Sequence, residues 1–325
     1  MKKANKSKLL YCLMVLVLVL TVIIGCKETE STELAAIELV PQNANMLGNI
    51  QVNKIITDHD LKDAYDKVEK EPGQPETFEE VLNTASDEIG IDWRNCTEAI
   101  IFANTALLES EEYLAFIVEG TFDEDKIIDQ LEDQYDRQLA TSDYKGYKLY
   151  INEVEDLGIV FLSDEMLVLG STKAVKDAID VSKGARKKIG GTILDTYNQL
   201  GDVLVKLAFE LPEQAKQVFT QEQMSTEIPL PLESFSDIDT LGFALDKEGE
   251  TISIEIRPHF LSSDSIEDIE NTLSGLIMLA KGMSEDLEVK NLLDKIDVSI
   301  SDSWLIITFK ITLPEIEQLS ETFRP

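Results

Sequence analysis

The chain reads as an α+β protein of two similar domains, each a mostly antiparallel sheet covered by helices, after an N-terminal signal and lipid anchor. Three observations predict this. Short apolar runs come in pairs around tight turns, as antiparallel strands do. Between the pairs, apolar residues recur at i, i+3, i+4 and i+7, the spacing of one helical face. The order strand, helix, two strands, helix, two strands, helix then occurs twice, on either side of a charged run bounded by Gly184 and Gly190. So long a period indicates duplicated domains rather than a solenoid.

Residues 37–183 form the expected first domain. Ile37 to Val40 and Pro41 open it, and Met46 to Val52 suits a strand. From Asp58 to Glu69, Leu61, Ala64, Tyr65 and Val68 share a helical face. Glu71-Pro72-Gly73-Gln74-Pro75 stops that helix. Thr77-Phe78-Glu79-Glu80 has capping-box spacing and predicts a helix to about Ile89, closed by Gly90. Ala99–Ala103 and Leu114–Gly120 read as strands around a turn at Glu109 to Glu112. Asp123 suits the cap of a helix whose Ile127, Ile128, Leu131 and Tyr135 share a face. Tyr147 to Asn152 alternates, and Gly158–Leu162 with Met166–Leu169 form a hairpin around Ser163-Asp164-Glu165. Ser171 introduces a helix carrying Ala174, Val175, Ala178 and Ile179, which ends at Ser182-Lys183-Gly184.

Residues 184–192 then read as a linker, and residues 193–325 as a second domain, probably by duplication only in the sense that its elements follow in the same order. Asp202 to Phe209 is its first strand, and Leu211-Pro212-Glu213 starts a helix. Thr240–Leu245 and Thr251–Ile256 pair around Lys247 to Glu250. Ser263 to about Ala280 is helical with Ile266, Ile269, Leu273, Leu276 and Ile277 inward. Val298–Ile300 and Leu305–Ile311 make the last hairpin. Thr312-Leu313-Pro314-Glu315 caps a final helix.

The start of the chain tells where the protein works. Lys2, Lys3, Lys6 and Lys8 precede an uncharged apolar segment from Leu9 to Gly25, and the composition turns polar after Cys26. These are the parts of a secretory signal. Ile23-Ile24-Gly25-Cys26 resembles the lipobox of bacterial lipoproteins. The resemblance implies a signal peptide over 1–25, cleavage before Cys26, diacylglycerol on its sulfur and acylation of its amine by a chain such as palmitate. Residues 26–36 are then a flexible stalk. The alternative is an uncleaved signal anchor, although Leu9–Gly25 falls short of the roughly 20 apolar residues of a spanning helix. Both readings place residues 27–325 outside the cytoplasm, because the basic flank stays inside. Lys27 is not aspartate, which by the same resemblance favours the outer membrane in a host with two. The body resembles a group of exported bacterial and archaeal proteins of unknown function, through the opening Val40-Pro41-Gln42-Asn43-Ala44-Asn45-Met46. Those motifs are structural and imply no activity.

Composition narrows the partners. There are 62 acidic against 29 basic residues and a net charge of −33, so nucleic acid and anionic head groups are repelled. Of three cysteines, Cys12 leaves with the signal and Cys26 carries lipid, which leaves Cys96. The mature chain therefore has no intrachain disulfide and no thiolate metal cluster. Asn95-Cys96-Thr97 is a sequon, so Asn95 is a glycosylation acceptor in a host that glycosylates exported proteins.

The search for chemistry is largely negative, and no enzyme activity, cofactor or metal is expected. His59 and His259 are the only histidines, with no HExxH, GxSxG or strand-following GxGxxG. Both read as surface or boundary residues, His259 just after a strand. Gly170-Ser171-Thr172-Lys173 lacks the spacing of a phosphate loop. Asp123-Glu124-Asp125 and Asp264, Glu267 and Asp268 lie in helix first turns, where they complement the dipole. No DxDxDG calcium loop is present. Three stretches offer something to a partner. Tyr144, Tyr147 and Tyr150 suit a sugar or peptide, or simple cross-strand packing. Arg186, Lys187 and Lys188 are the one basic cluster, and Pro229-Leu230-Pro231-Leu232 is a rigid apolar loop. The expected function is a non-catalytic, membrane-tethered module that binds a partner or ligand between its domains. The alternatives are a carrier of lipid or another hydrophobic ligand, and a hydrolase using a carboxylate pair.

Overall fold

The computed structural model describes residues 35–67, 70, 74–105, 113–212, 216 and 232–322. The signal, Cys26, the stalk up to residue 34, Val68, the turn at 109–112 and Pro229-Leu230-Pro231 lie outside them. The chain divides into two compact units. One is built on residues 48–189 with the described residues up to Ala44, the other on Asn45–Leu47 and the residues from Gly190 on.

In the first unit, β1 (Met46–Ile50) is followed by α1 (Val52–Thr57), α2 (His59–Lys67) and α3 (Phe78–Ile89). The strand expected through Val52 is therefore shorter, since Val52 begins a helix and buries its side chain there. Thr77 caps α3 by accepting from the Glu80 amide at 3.2 Å, and Gly90 closes it at φ 74°. Glu80 reaches back to the Glu76 amide at 2.7 Å, one residue beyond the usual capping-box partner. Then come β2 (Cys96–Ala103), β3 (Leu114–Gly120), α4 (Glu124–Tyr135), β4 (Ala140–Tyr144), β5 (Tyr147–Asn152), β6 (Leu157–Ser163), β7 (Met166–Ser171) and α5 (Thr172–Ser182). The strands lie in the order β1-β2-β3-β7-β6-β5-β4, antiparallel from β2 to β4. Its core includes Ile100, Phe102, Ile117, Leu149, Val160 and Leu167, each 1 % exposed or less.

Close approach fixes the middle of this sheet. Gly170 sits opposite Ala115 at φ 153°, and a Cβ on it would stand 2.3 Å from the Leu114 carbonyl oxygen. Only glycine satisfies both conditions.

The second unit holds α6 (Thr192–Gln199), β8 (Val205–Glu210), α7 (Leu232–Phe235), β9 (Ile238–Glu248), β10 (Thr251–Phe260), α8 (Ser263–Met283), α9 (Leu287–Leu293), β11 (Ile296–Ser301), β12 (Trp304–Thr312) and α10 (Leu313–Thr322). Its strands run β8-β9-β10-β12-β11, all antiparallel. That order equals β1-β2-β3-β7-β6 of the first unit, element for element. The first unit adds the hairpin β4–β5 at its outer edge. The core of the second unit is Ile238, Phe260, Ile266, Ile269 and Leu305, with Leu273, Val298 and Ile307 half-buried against it.

Four expectations change. The stalk does not extend to Ala36, which is fully buried, opens a 3-10 turn and donates its amide to Glu119 Oε1 at 2.9 Å. Residues 184–192 do not form a free linker. Ile189 is buried and donates its amide to the Val40 carbonyl at 2.7 Å, Lys188 bridges Pro41, and the Gln42 amide reaches the Lys187 carbonyl at 3.0 Å. His259 lies inside β10, not after it, paired with Thr240 and Trp304. Leu276 and Ile277 are only half-buried, because just the first half of α8 covers the sheet.

Candidate functional site

The site grows out of α5. Its Ala174, Val175, Ala178 and Ile179 are fully buried, which turns the opposite stripe outward. That stripe is Lys173, Lys176, Asp177 and Asp180, again at i, i+3, i+4 and i+7. With Thr172 it floors an open groove of about 720 Å³, walled by Tyr144 from β4, Asp156 and Arg186. The groove lies wholly within the first unit.

Asp177 is the most enclosed of these groups, at 6 % exposure. A buried carboxylate must be paired and hydrogen-bonded. Arg186 Nη2 stands 2.7 Å from its Oδ1, and the Tyr113 hydroxyl donates to its Oδ2 at 2.8 Å. Arg186 Nη1 and the Tyr113 hydroxyl also reach Asn43 Oδ1, at 3.1 and 3.3 Å. Burial, and then the Asp177 charge, push the Tyr113 phenol well above its ordinary range. One turn on, Asp180 accepts from Tyr144 at 3.1 Å and pairs with Lys145 at 2.6 Å. Burial leads the rise of the Tyr144 phenol, with the Asp180 hydrogen bond second. Lys176 and Lys145 approach the Tyr144 ring at 5.5 and 5.8 Å, a weak cation–π arrangement.

The opposite end of the groove differs. Ser171 precedes α5 without a side-chain cap, and the first turn contains no acid. Ser171 Oγ and Thr172 Oγ1 are buried and lack hydrogen-bond partners. The Thr172 amide donates to the Asp156 carbonyl at 3.2 Å.

Of the residues singled out in the sequence, the structure brings Tyr144 and Arg186 to this groove. Tyr147 stacks under Lys183 at 4.0 Å, and Tyr150 is buried with its hydroxyl on Glu124, so packing accounts for both. Lys188 pairs with Glu38. Asn95 is exposed at the end of a 3-10 turn, where a sequon is accessible. Cys96 is buried, and burial followed by the Asp92 charge raises its thiol to about 12, which removes it as a nucleophile. His59 pairs with Asp63 at 3.4 Å on an exposed helix face. His259 Nδ1 lies 2.6 Å from Asp239 Oδ1, with its ring 4.5 Å from Trp304. Asp123 caps α4 through the Lys126 amide at 3.1 Å. Asp264, Glu267 and Asp268 are exposed at the start of α8. No group of three or more metal-ligating side chains occurs among the described residues.

Sequence reasoning passed over Asn43, Tyr113, Lys173, Lys176, Asp177 and Asp180. The polar stripe of α5 was the available signal for the last four. Tyr113 and Asn43 come from distant stretches and gave none.

The second unit carries a different surface. Met278, Leu279, Met283 and Leu287 on α8 and α9 are more than half exposed, and Leu261, Ile256 and Ile300 are exposed as well.

No protein family model matches the chain, and no curated protein matches it. Among solved structures, three crystal forms of TP0453 are similar. Form III aligns at 8 % identity over 90 % of this chain and 100 % of that one, with a TM-score of 0.48. Form IV gives 10 %, 87 %, 95 % and 0.47, and form I gives 11 %, 90 %, 99 % and 0.46. At such identities and scores the likeness carries no functional argument.

Proposed function

We propose that the protein is an extracytoplasmic lipoprotein, tethered to a membrane by lipid on Cys26, which binds a small ligand in the first unit without transforming it. The observation that carries the binding part is the groove on α5, concave and polar, with an aromatic wall and charged groups already held in place. Its two enclosed acids are each clamped by a cation, an arrangement for positioning rather than for holding a proton. The tether rests on the basic, apolar and Cys26 sequence at the start of the chain. Duplication of an ancestral unit is supported by the strand order common to both halves. Nucleic acid is not a partner of so acidic a chain.

Native mass spectrometry of protein extracted from its own membrane tests this. The expected result is an N-terminal Cys26 carrying acyl chains and excess mass of a bound small molecule. A chain beginning at Met1 overturns the tether, and a bare lipidated monomer overturns the small-ligand reading.

A second reading, a carrier for a lipid or other hydrophobic molecule, is favoured by the exposed apolar residues of α8 and α9. A co-extracted acyl or isoprenoid species displaced by Met278→Glu selects it.

A further inference from the structure

The groove is electrically divided, and the division names a ligand class. At its Arg186 end the charges cancel, since Asp177 and Asp180 each hold a cation and a phenol. At its Thr172 end the balance is positive. Helix α5 presents the positive end of its macrodipole there, over eleven residues, with no side-chain cap and no acid in its first turn. Cations are disfavoured at that end of a helix, yet Lys173 and Lys176 occupy it and line the groove.

A second observation points the same way. Ser171, 7 % exposed, and Thr172, which lines the groove, keep buried hydroxyls without hydrogen-bond partners. Unmet buried hydroxyls cost free energy unless something accepts from them. A turn about Thr172 χ1 suffices to aim its hydroxyl into the groove. Two hydroxyls, two ammonium groups and the first-turn amides are more donors than a carboxylate has oxygens for. They match a tetrahedral oxyanion.

We infer that the Thr172 end of the groove binds a phosphoryl group, and that the rest of a phosphorylated small molecule lies along α5 against Tyr144. This inference rests on the binding reading above and specifies its ligand. Asp156 is the one carboxylate lining that end, so it sets a ceiling on affinity.

The test is a titration of the full chain in detergent, followed by 31P line shape and calorimetry. The probes are inorganic phosphate and glycerol 1-phosphate. One site is expected, weakened about tenfold or more by Lys176→Gln, as loss of a charge-assisted hydrogen bond requires. Asp156→Asn is expected to tighten binding, a gain that misfolding cannot imitate, and asparagine is tolerated at the φ of 48° found there. Tighter binding of the ester places the remainder of the ligand in the groove. Equal affinity assigns the site to free phosphate. Absence of binding by either probe at about 10 mM, far weaker than a functional site, overturns the inference. So does binding that neither variant alters. A co-purified ligand lacking phosphorus overturns it while leaving the binding reading intact.

Discussion

Arg186 Nη2 and Asp177 Oδ1 lie 2.7 Å apart across nine residues of chain, and this contact ties the segment after α5 back onto the helix. The carboxylate is nearly enclosed while the guanidinium is over a third exposed, so the two partners do not weigh equally. Removing the cation leaves a charge buried. Removing the acid leaves a cation that water can still reach.

Arg186→Ala is therefore expected to destabilise the protein by about 1–3 kcal/mol, the cost of an unsatisfied buried group. Asp177→Asn should cost less, and the double variant should be milder than the sum of both. Urea midpoints of the four proteins check this as a double-mutant cycle. Additive losses would mean that the pair is not coupled.

Gly170→Ala is expected to lower stability by about 1–3 kcal/mol, because its methyl meets backbone of β3 and not a movable side chain. Gly184→Ala has open space around it, so any loss there comes from its φ of 67° alone. The midpoints of the two variants separate crowding from backbone strain.

Cys96 should resist alkylation in the folded protein at pH 8 and react fully in urea, as peptide mass spectra would record. Its thiol keeps the proton to about 12 when folded, against 9.0 for the ordinary group. The folded state thus binds more protons between those values, and stability falls as pH rises through that window. Cys96→Ala should flatten the fall.

Glu315 behaves in the opposite sense. Its Oε2 accepts from the Thr312 amide, the Thr312 hydroxyl and Lys295 Nζ, each at 2.9 Å. These contacts, the amide foremost, hold the carboxyl at about 2, below the ordinary 4.5. The unfolded chain binds the extra proton between those values, so this contribution is present above 4.5 and lost as pH falls toward 2. The carboxylate is two-fifths exposed, which makes the effect small. Glu315→Gln should differ from the parent protein more at pH 7 than at pH 2.5.

Much of the frame was legible because it is built from local signals. Thr77 and Gly90 bracket α3, Asp123 caps α4, and the Thr312–Glu315 box starts α10, each within four residues of the chain. Alternation found β5 to β7 and the hairpins of the second unit. Strand β4 escaped because Ala140–Tyr144 is exposed over most of its length and carries no apolar alternation. Helices α6 and α9 are short, and α9 buries no residue. The groove was illegible for another reason. Asn43, Tyr113, Asp177 and Arg186 span well over a hundred residues, and only the pairing of β3 with β7 brings Tyr113 near α5. The basic run at 186–188 could be seen, but not that Arg186 turns inward to serve Asp177.

The hairpin β4–β5 has a further consequence. An outermost strand with a single neighbour and little buried surface is where a sheet melts first, whereas α5 is anchored by four fully buried residues. Tyr144 closes that strand, so the groove has one rigid bank and one soft bank. A molecule lodged between them would act as a rivet, lending the frayed margin some of the permanence of the interior.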